Sequence, residues 1–131
     1  DGADDPRDVG DLRIKLNQGH DLVIASRFLP GGGRETDRPL SYGSIGNRFF
    51  TFLLGVVFSR NVTDVNNLFR GFKKEAFERL ALVEDGESAM FEMTLQALAG
   101  SLRVTECPTV ERRSLIRRRK RNSASCASAW V

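Results

Sequence analysis

Asp21-Leu22-Val23-Ile24-Ala25-Ser26-Arg27 is the stretch that decides the fold. Its middle is a short, uninterrupted apolar run closed by polar residues at both ends, the pattern of a strand buried on both faces, as in a parallel sheet. Immediately upstream, Asp5-Pro6-Arg7-Asp8 reads as a helix start: Asp5 caps, Pro6 takes the first helical position, and Asp8 stands three residues after the cap. Val9, Leu12 and Leu16 then form one apolar stripe, and Gly19 is the expected stop. A helix running closely into a buried strand is the second half of a βαβ unit, so the expected class is α/β.

Downstream, residues 28–39 hold Gly31-Gly32-Gly33 and two prolines, a loop able to cradle a phosphate or simply to turn; the Gly-Lys-Ser/Thr ending of a P-loop is missing. Residues 41–58 follow a helical pattern that is apolar on most sides, expected to be core, with an in-plane contact on lipid as the alternative. Residues 75–82 and 89–99 read as helices, the second stopped by Gly100. Leu102 to Thr105 reads as a strand ended by Glu106-Cys107-Pro108, and a last strand is expected over 109–112.

The 131 residues amount to one domain or part of one, and 40% hydrophobic content suffices for a core. Two cysteines and one histidine exclude a disulfide-dense scaffold and a zinc site of four Cys/His ligands. No secretory signal is visible, so a reducing, cytosolic compartment is expected. The net charge of +3 hides an asymmetry: residues 112–121 contain seven basic side chains and no acidic one, leaving the body mildly acidic. Such a run is a solvated tail or a grip for an anionic membrane surface or nucleic acid; the absence of interleaved aromatics argues against nucleic acid. Residues 122–131 are Ser/Ala-rich, without periodicity.

Read in order, several short motifs resemble the family-2 inverting glycosyltransferases of the polyprenyl- and dolichol-phosphate type. Asp1-Gly2-Ala3-Asp4-Asp5-Pro6 looks like the family's Asp-Ala-Asp segment without its first Asp. Ala25-Ser26-Arg27 resembles its Gly/Ala-Ser-Arg strand end, and Gly46-Asn47-Arg48-Phe49 its long-helix opening. Thr63-Asp64 through Phe69-Arg70-Gly71-Phe72 resembles its Thr/Ser-Asp…Phe-Arg motif, Phe91-Glu92-Met93 a helix start, and Glu106-Cys107-Pro108 its Glu-Val-Pro, followed by Arg112 or Arg113. After these arginines the sequence departs from the family, whose Gly-x-Ser-Lys/Asn loop is replaced by the basic run.

The resemblance implies a GT-A, Rossmann-like nucleotide-diphospho-sugar transferase fold, represented by its acceptor-side part with an incomplete sheet. Residues 1–113 would form this partial domain and 114–131 a disordered tail. The nucleotide-binding half and its first strands would lie upstream, leaving the 22–25 strand with an open edge. The implied activity is transfer of a sugar from a nucleotide-diphosphate donor to a polyprenyl phosphate, on the cytoplasmic face of the membrane, as a peripheral protein. A Mg²⁺ or Mn²⁺ ion, held by the carboxylate pair of which Asp1 remains, would offset charge on the leaving diphosphate in the complete enzyme and bind weakly here. The acceptor is already an anion, so it needs positive charge rather than a general base, and arginine forks suit phosphate. Arg27, Arg70 and Asp64 are therefore the expected catalytic residues. Ser26, Arg38, Arg112 and Arg113 are the expected substrate contacts, and Asp64 orients an arginine or the acceptor loop. Glu106 pins a strand end. The competing readings are a non-catalytic remnant and a binding module acting through its basic tail.

Overall fold

The computed structural model describes residues 4–34, 42–58 and 62–112. Asp1, Arg38, Arg113 and the basic tail lie outside the described residues, as does the expected disorder of 114–131.

Asp5 opens the chain as expected. Its carboxylate accepts from the Arg7 N–H, and a single 3₁₀ turn over Pro6–Asp8 leads into α1, Val9–Asn17. Gly19 ends α1 at φ +102°, a backbone conformation that costs glycine little. β1 follows as Leu22–Ser26, with all five residues buried. Leu22 and Ile24 face a cluster with Leu54, Val62, Val65, Met93, Ala97 and Leu102, whereas Val23 and Ala25 face Leu12, Cys107 and the flanking Leu16 and Phe69. Both faces are covered, which is why the strand reads as a continuous apolar run rather than an alternating one.

β1 is the middle strand. It pairs antiparallel with β3 (Arg70–Phe72) and parallel with β4 (Val104–Pro108), in the register Leu22↔Val104 to Ser26↔Pro108. The open edge expected on the 22–25 strand is thus displaced to β3 and β4. A second, two-stranded parallel sheet joins β2 (Gly33–Arg34) to β5 (Val110–Glu111). The result is an α/β fold built on a three-stranded mixed sheet.

Three expectations shift. β4 runs through Glu106-Cys107-Pro108 instead of stopping before it, because each of these residues has a partner on β1 and the proline occupies only the final position. The expected helix over 75–82 shortens to α3, Lys74–Phe77. Beyond it, the side chains of α4 (Gly86–Ala99) take over the backbone: Gln96 Oε1 accepts from Ala81 N–H, and Glu92 accepts from Val83 and Glu84 N–H. Ser101 at φ 57°, rather than Gly100, carries the left-handed turn that ends α4.

The largest departure is α2, Tyr42–Phe58. Of its apolar residues Leu54 enters the core, with Phe58 packed against it. Phe49, Phe52, Val56 and Val57 are 59–68% exposed. Core burial, the expected state of this helix, does not hold: a single row of contacts anchors it and the rest of its apolar surface faces outward.

Candidate functional site

The site is built at the carboxyl end of β1, where a strand end, the loop after α2 and the β4–β5 segment converge. Open α/β sheets bind ligands at such ends. Gly32 allows the local geometry: a Cβ there would sit 2.5 Å from the Ser26 carbonyl oxygen, so only glycine lets the loop pass this close to the strand. Gly33 N–H then donates to the Thr109 carbonyl, starting β2 against β5.

Arg27 leaves β1 with its guanidinium held from two sides. Nε and Nη2 donate to the two carboxylate oxygens of Asp64 at 2.6 and 2.8 Å, a bidentate fork, and Nη1 donates to Glu111 at 2.9 Å. The Arg27 backbone N–H also donates to Asp64, at 3.2 Å. The Asp64 side chain is fully buried, and that of Arg27 is 13% exposed. Burial alone would lower the basicity of Arg27, but the bonds from Asp64 and Glu111 outweigh it and the guanidinium is held more firmly protonated than a free arginine. Three of its five N–H donors are used by these side chains. Asp4 lies within the same field. Burial first, and Glu111 second, push its carboxyl pKa upward, while Arg27 pulls the other way.

Asp64 is itself fixed by Glu106 of β4. One Glu106 oxygen accepts from the N–H groups of Thr63 and Asp64 at 2.8 and 2.9 Å, and the other accepts from the Thr63 hydroxyl at 2.8 Å. Since that hydroxyl gives its proton to Glu106, Ser26 Oγ, 2.6 Å away, donates to Thr63 and in turn accepts from the Phe28 N–H. Desolvation raises the Glu106 pKa, with the bonds from Asp64 and Thr63 acting against it.

Arg70 stands apart from this anionic frame. Its Nε donates to the Asn67 carbonyl; Nη1 donates to the Met90 carbonyl and the Thr94 hydroxyl; Nη2 donates to the carbonyls of Val65 and Asn67. All five donors are engaged. Burial lowers its pKa to about 10, and nearby Asp64 resists that drop.

The expected site residues therefore divide. Arg27 and Asp64 meet in one ion pair. Ser26 and Arg70 do not present donors outward: Ser26 is fully buried with its hydroxyl on Thr63, and Arg70 is saturated by carbonyls. In the free chain both side chains are engaged by internal bonds. Arg112 is half-exposed and binds Asp5 at 2.8 Å, closing the first turn onto β5, next to the Thr109–Asp8 bond of 2.7 Å. Asp1, Arg38 and Arg113 lie outside the described residues. Among the described residues no cluster of three or more Asp, Glu, His or Cys side chains is placed to hold a metal ion.

Sequence reasoning missed Glu111, Thr63 and Asn67. Asn67 binds the Ala25 carbonyl at 2.6 Å and caps its own turn at Phe69 N–H. Its place within the Thr-Asp…Phe-Arg motif was the available signal. Glu111 carried none: it falls in a two-residue strand paired with Gly33 and Arg34 of β2.

No protein-family profile matches the chain. Over 113 residues, 82% of its length, it is 28% identical to a polyprenol monophosphomannose synthase of Mycolicibacterium smegmatis. The chain spans about two fifths of that relative's length, 41%. This supports a distant relation to a transferase, at the level of an α/β unit.

Proposed function

We propose that the chain is the acceptor-side part of a family-2, GT-A-type glycosyltransferase that moves a sugar, mannose in the first instance, from a nucleotide-diphosphate donor to a polyprenyl phosphate. The observation that carries this reading is Arg27, a guanidinium fixed by two carboxylates at the end of a buried strand with donors left over on Nη1 and Nη2. The similarity to a polyprenol monophosphomannose synthase supplies the substrate class.

In this reading the acceptor phosphate approaches Arg27 from the Glu111 side. Asp64 is buried and keeps the fork oriented, whereas the Glu111 side chain is 34% exposed and is the carboxylate an incoming phosphate would displace. A phosphate oxygen is already a nucleophile; it forms the new bond to the anomeric carbon as the nucleoside diphosphate leaves with the bonding pair, and no base has to remove a proton. Arg27 holds the anion and, being permanently charged, takes no proton from it. Arg112, with Arg38 and Arg113, would add positive charge around the same headgroup. Arg70 acts at one remove, by bracing the loop that carries Asp64. Asp1 and a Mg²⁺ or Mn²⁺ ion would belong to the donor side of the site.

The outward apolar face of α2 fits a peripheral placement at an anionic membrane surface, where the lipid acceptor resides. The helix contains a single charged residue, Arg48, which is exposed. No helix among the described residues is long and apolar enough to cross a membrane.

Anionic vesicles doped with farnesyl phosphate or farnesol test both parts. The chain should partition at least about tenfold better onto the phosphate vesicles, the scale of a charge-assisted contact. Arg27→Gln should abolish the preference, and Phe52→Ser with Val57→Ser should lower uptake on both. Equal partitioning of the unaltered chain onto the two vesicle types would refute the phosphate-acceptor reading.

A further inference from the structure

The frame around Arg27 extends one residue deeper than the side chains that touch it. Glu106 sits in β4, opposite Ile24 on β1, so its side chain rises on the same face of the sheet as Ile24 and Ser26. Among the described residues it meets neither a lysine nor an arginine there. Its partners are two consecutive backbone N–H groups, of Thr63 and Asp64, and the Thr63 hydroxyl. A carboxylate largely withdrawn from water and offered only neutral donors is costly unless those donors are rigidly supplied. The returned benefit is geometric. The two N–H groups fix the peptide planes on either side of Thr63, and the second of these planes fixes where the Asp64 side chain starts.

We propose that Glu106 is a positioning residue: it clamps the Thr63–Asp64 backbone to β4 and thereby sets the Asp64–Arg27 fork at the end of β1. Two strands and one loop are tied by this arrangement. β1 supplies Arg27 and Ser26, β4 supplies Glu106, and the loop after α2 supplies Thr63 and Asp64. The Ser26 and Thr63 hydroxyls carry the same connection from β1 to the Glu106 carboxylate. With Glu106 removed, the two N–H groups lose this acceptor, while the Asn67–Ala25 bond, Arg70 and the buried Val65 still hold the loop from its far side. The proposal rests on the reading of Arg27 as the phosphate-holding group, yet it concerns the geometry of the free protein and can be measured without ligand.

The test is solvent exchange of the Arg27 Nε–H, followed by ¹⁵N NMR on the whole chain. Leu102→Ala serves as the control: it damages the same core just ahead of β4, four residues from Glu106, and should match the loss of stability without touching the clamp. Glu106→Ala should speed exchange by about tenfold or more, the scale of a lost charge-assisted bond. Glu106→Gln, whose amide oxygen still accepts from both backbone N–H groups, should lie between. Leu102→Ala should leave the exchange rate unchanged. If Glu106→Ala does not fold, the order of Glu106→Gln and Leu102→Ala decides. Unchanged exchange in Glu106→Gln, or equal acceleration in Leu102→Ala, overturns the proposal. A chain that ignores farnesyl phosphate but shows the expected exchange order would sink the phosphate reading and leave the clamp standing.

Discussion

Among the described residues, Arg27 and Arg70 reach the interior of this small α/β unit, and they are stabilised by opposite kinds of partner. Arg70 is surrounded by carbonyl oxygens and a threonine hydroxyl, so its charge is dispersed over neutral dipoles and every donor is spent. Arg27 is matched by carboxylates, one buried and one partly exposed, with donors remaining. Neutral carbonyls of a loop cannot leave without unmaking the loop. A carboxylate at the rim can be exchanged for another anion. On the proposed reading of Arg27, the kind of acceptor, more than depth of burial, separates an arginine that builds the structure from one that is available to a ligand.

The sharpest way to break this comparison is to remove the structural member. Arg70→Ala uncovers the carbonyls of Val65, Asn67 and Met90 together and should cost about 3–5 kcal/mol. Arg70→Lys, which has no planar fork to span them, should recover little of this. Thermal or urea unfolding reads the result; a lysine variant as stable as the parent would show that Arg70 contributes only its charge.

Arg27 should respond differently. Arg27→Lys keeps a cation beside Asp64 and loses the bidentate fork, so the expected loss of stability is about 1–2 kcal/mol, clearly less than for Arg70→Lys. If the two lysine variants unfold at the same midpoint, the division into building and binding arginines collapses. If the expected gap appears, the comparison is sharpened.

Part of this was legible in the sequence. The β1 strand could be read because both of its faces are covered, which writes an unbroken apolar run. Gly19 could be read because a left-handed turn has few alternatives. The pairing of Arg27 with Asp64 was approachable through the motifs that hold them, 37 positions apart in the chain. The roles of Ser26 and Arg70 were not legible, because motif spacing reports that a polar side chain is required and not whether its donors point inward or outward. α2 misled for a related reason. Phe49, Phe52, Val56 and Val57 have the composition of core residues, and only the packing reveals that they face outward while Leu54 is buried.

The smallest expected effect concerns protons. The bonds around Arg70 include no carboxylate and its own lowered pKa lies near 10, so between pH 3 and 7 that region should add nothing to the pH dependence of stability. The Arg27 frame rests on Glu106, whose pKa is raised in the fold by burial. Between its ordinary value and the raised one, the folded chain binds more protons than the unfolded chain. The Glu106 contribution to stability must then fall as pH rises through that window, with a slope of at most about 1.4 kcal/mol per pH unit. Asp21 runs the other way: the Arg103 N–H and guanidinium lower its pKa, so its contribution is present above the ordinary carboxylate value and is lost as pH falls through the lowered one. Unfolding free energies measured from pH 3 to 7 should show the Glu106→Gln difference curve sloping opposite to that of Asp21→Asn, with Arg70→Lys shifted but flat. A parallel shift in Glu106→Gln would mean that its carboxylate titrates alike in the folded and unfolded chains, and that the neutral donors of the Thr63–Asp64 turn fully offset its removal from water.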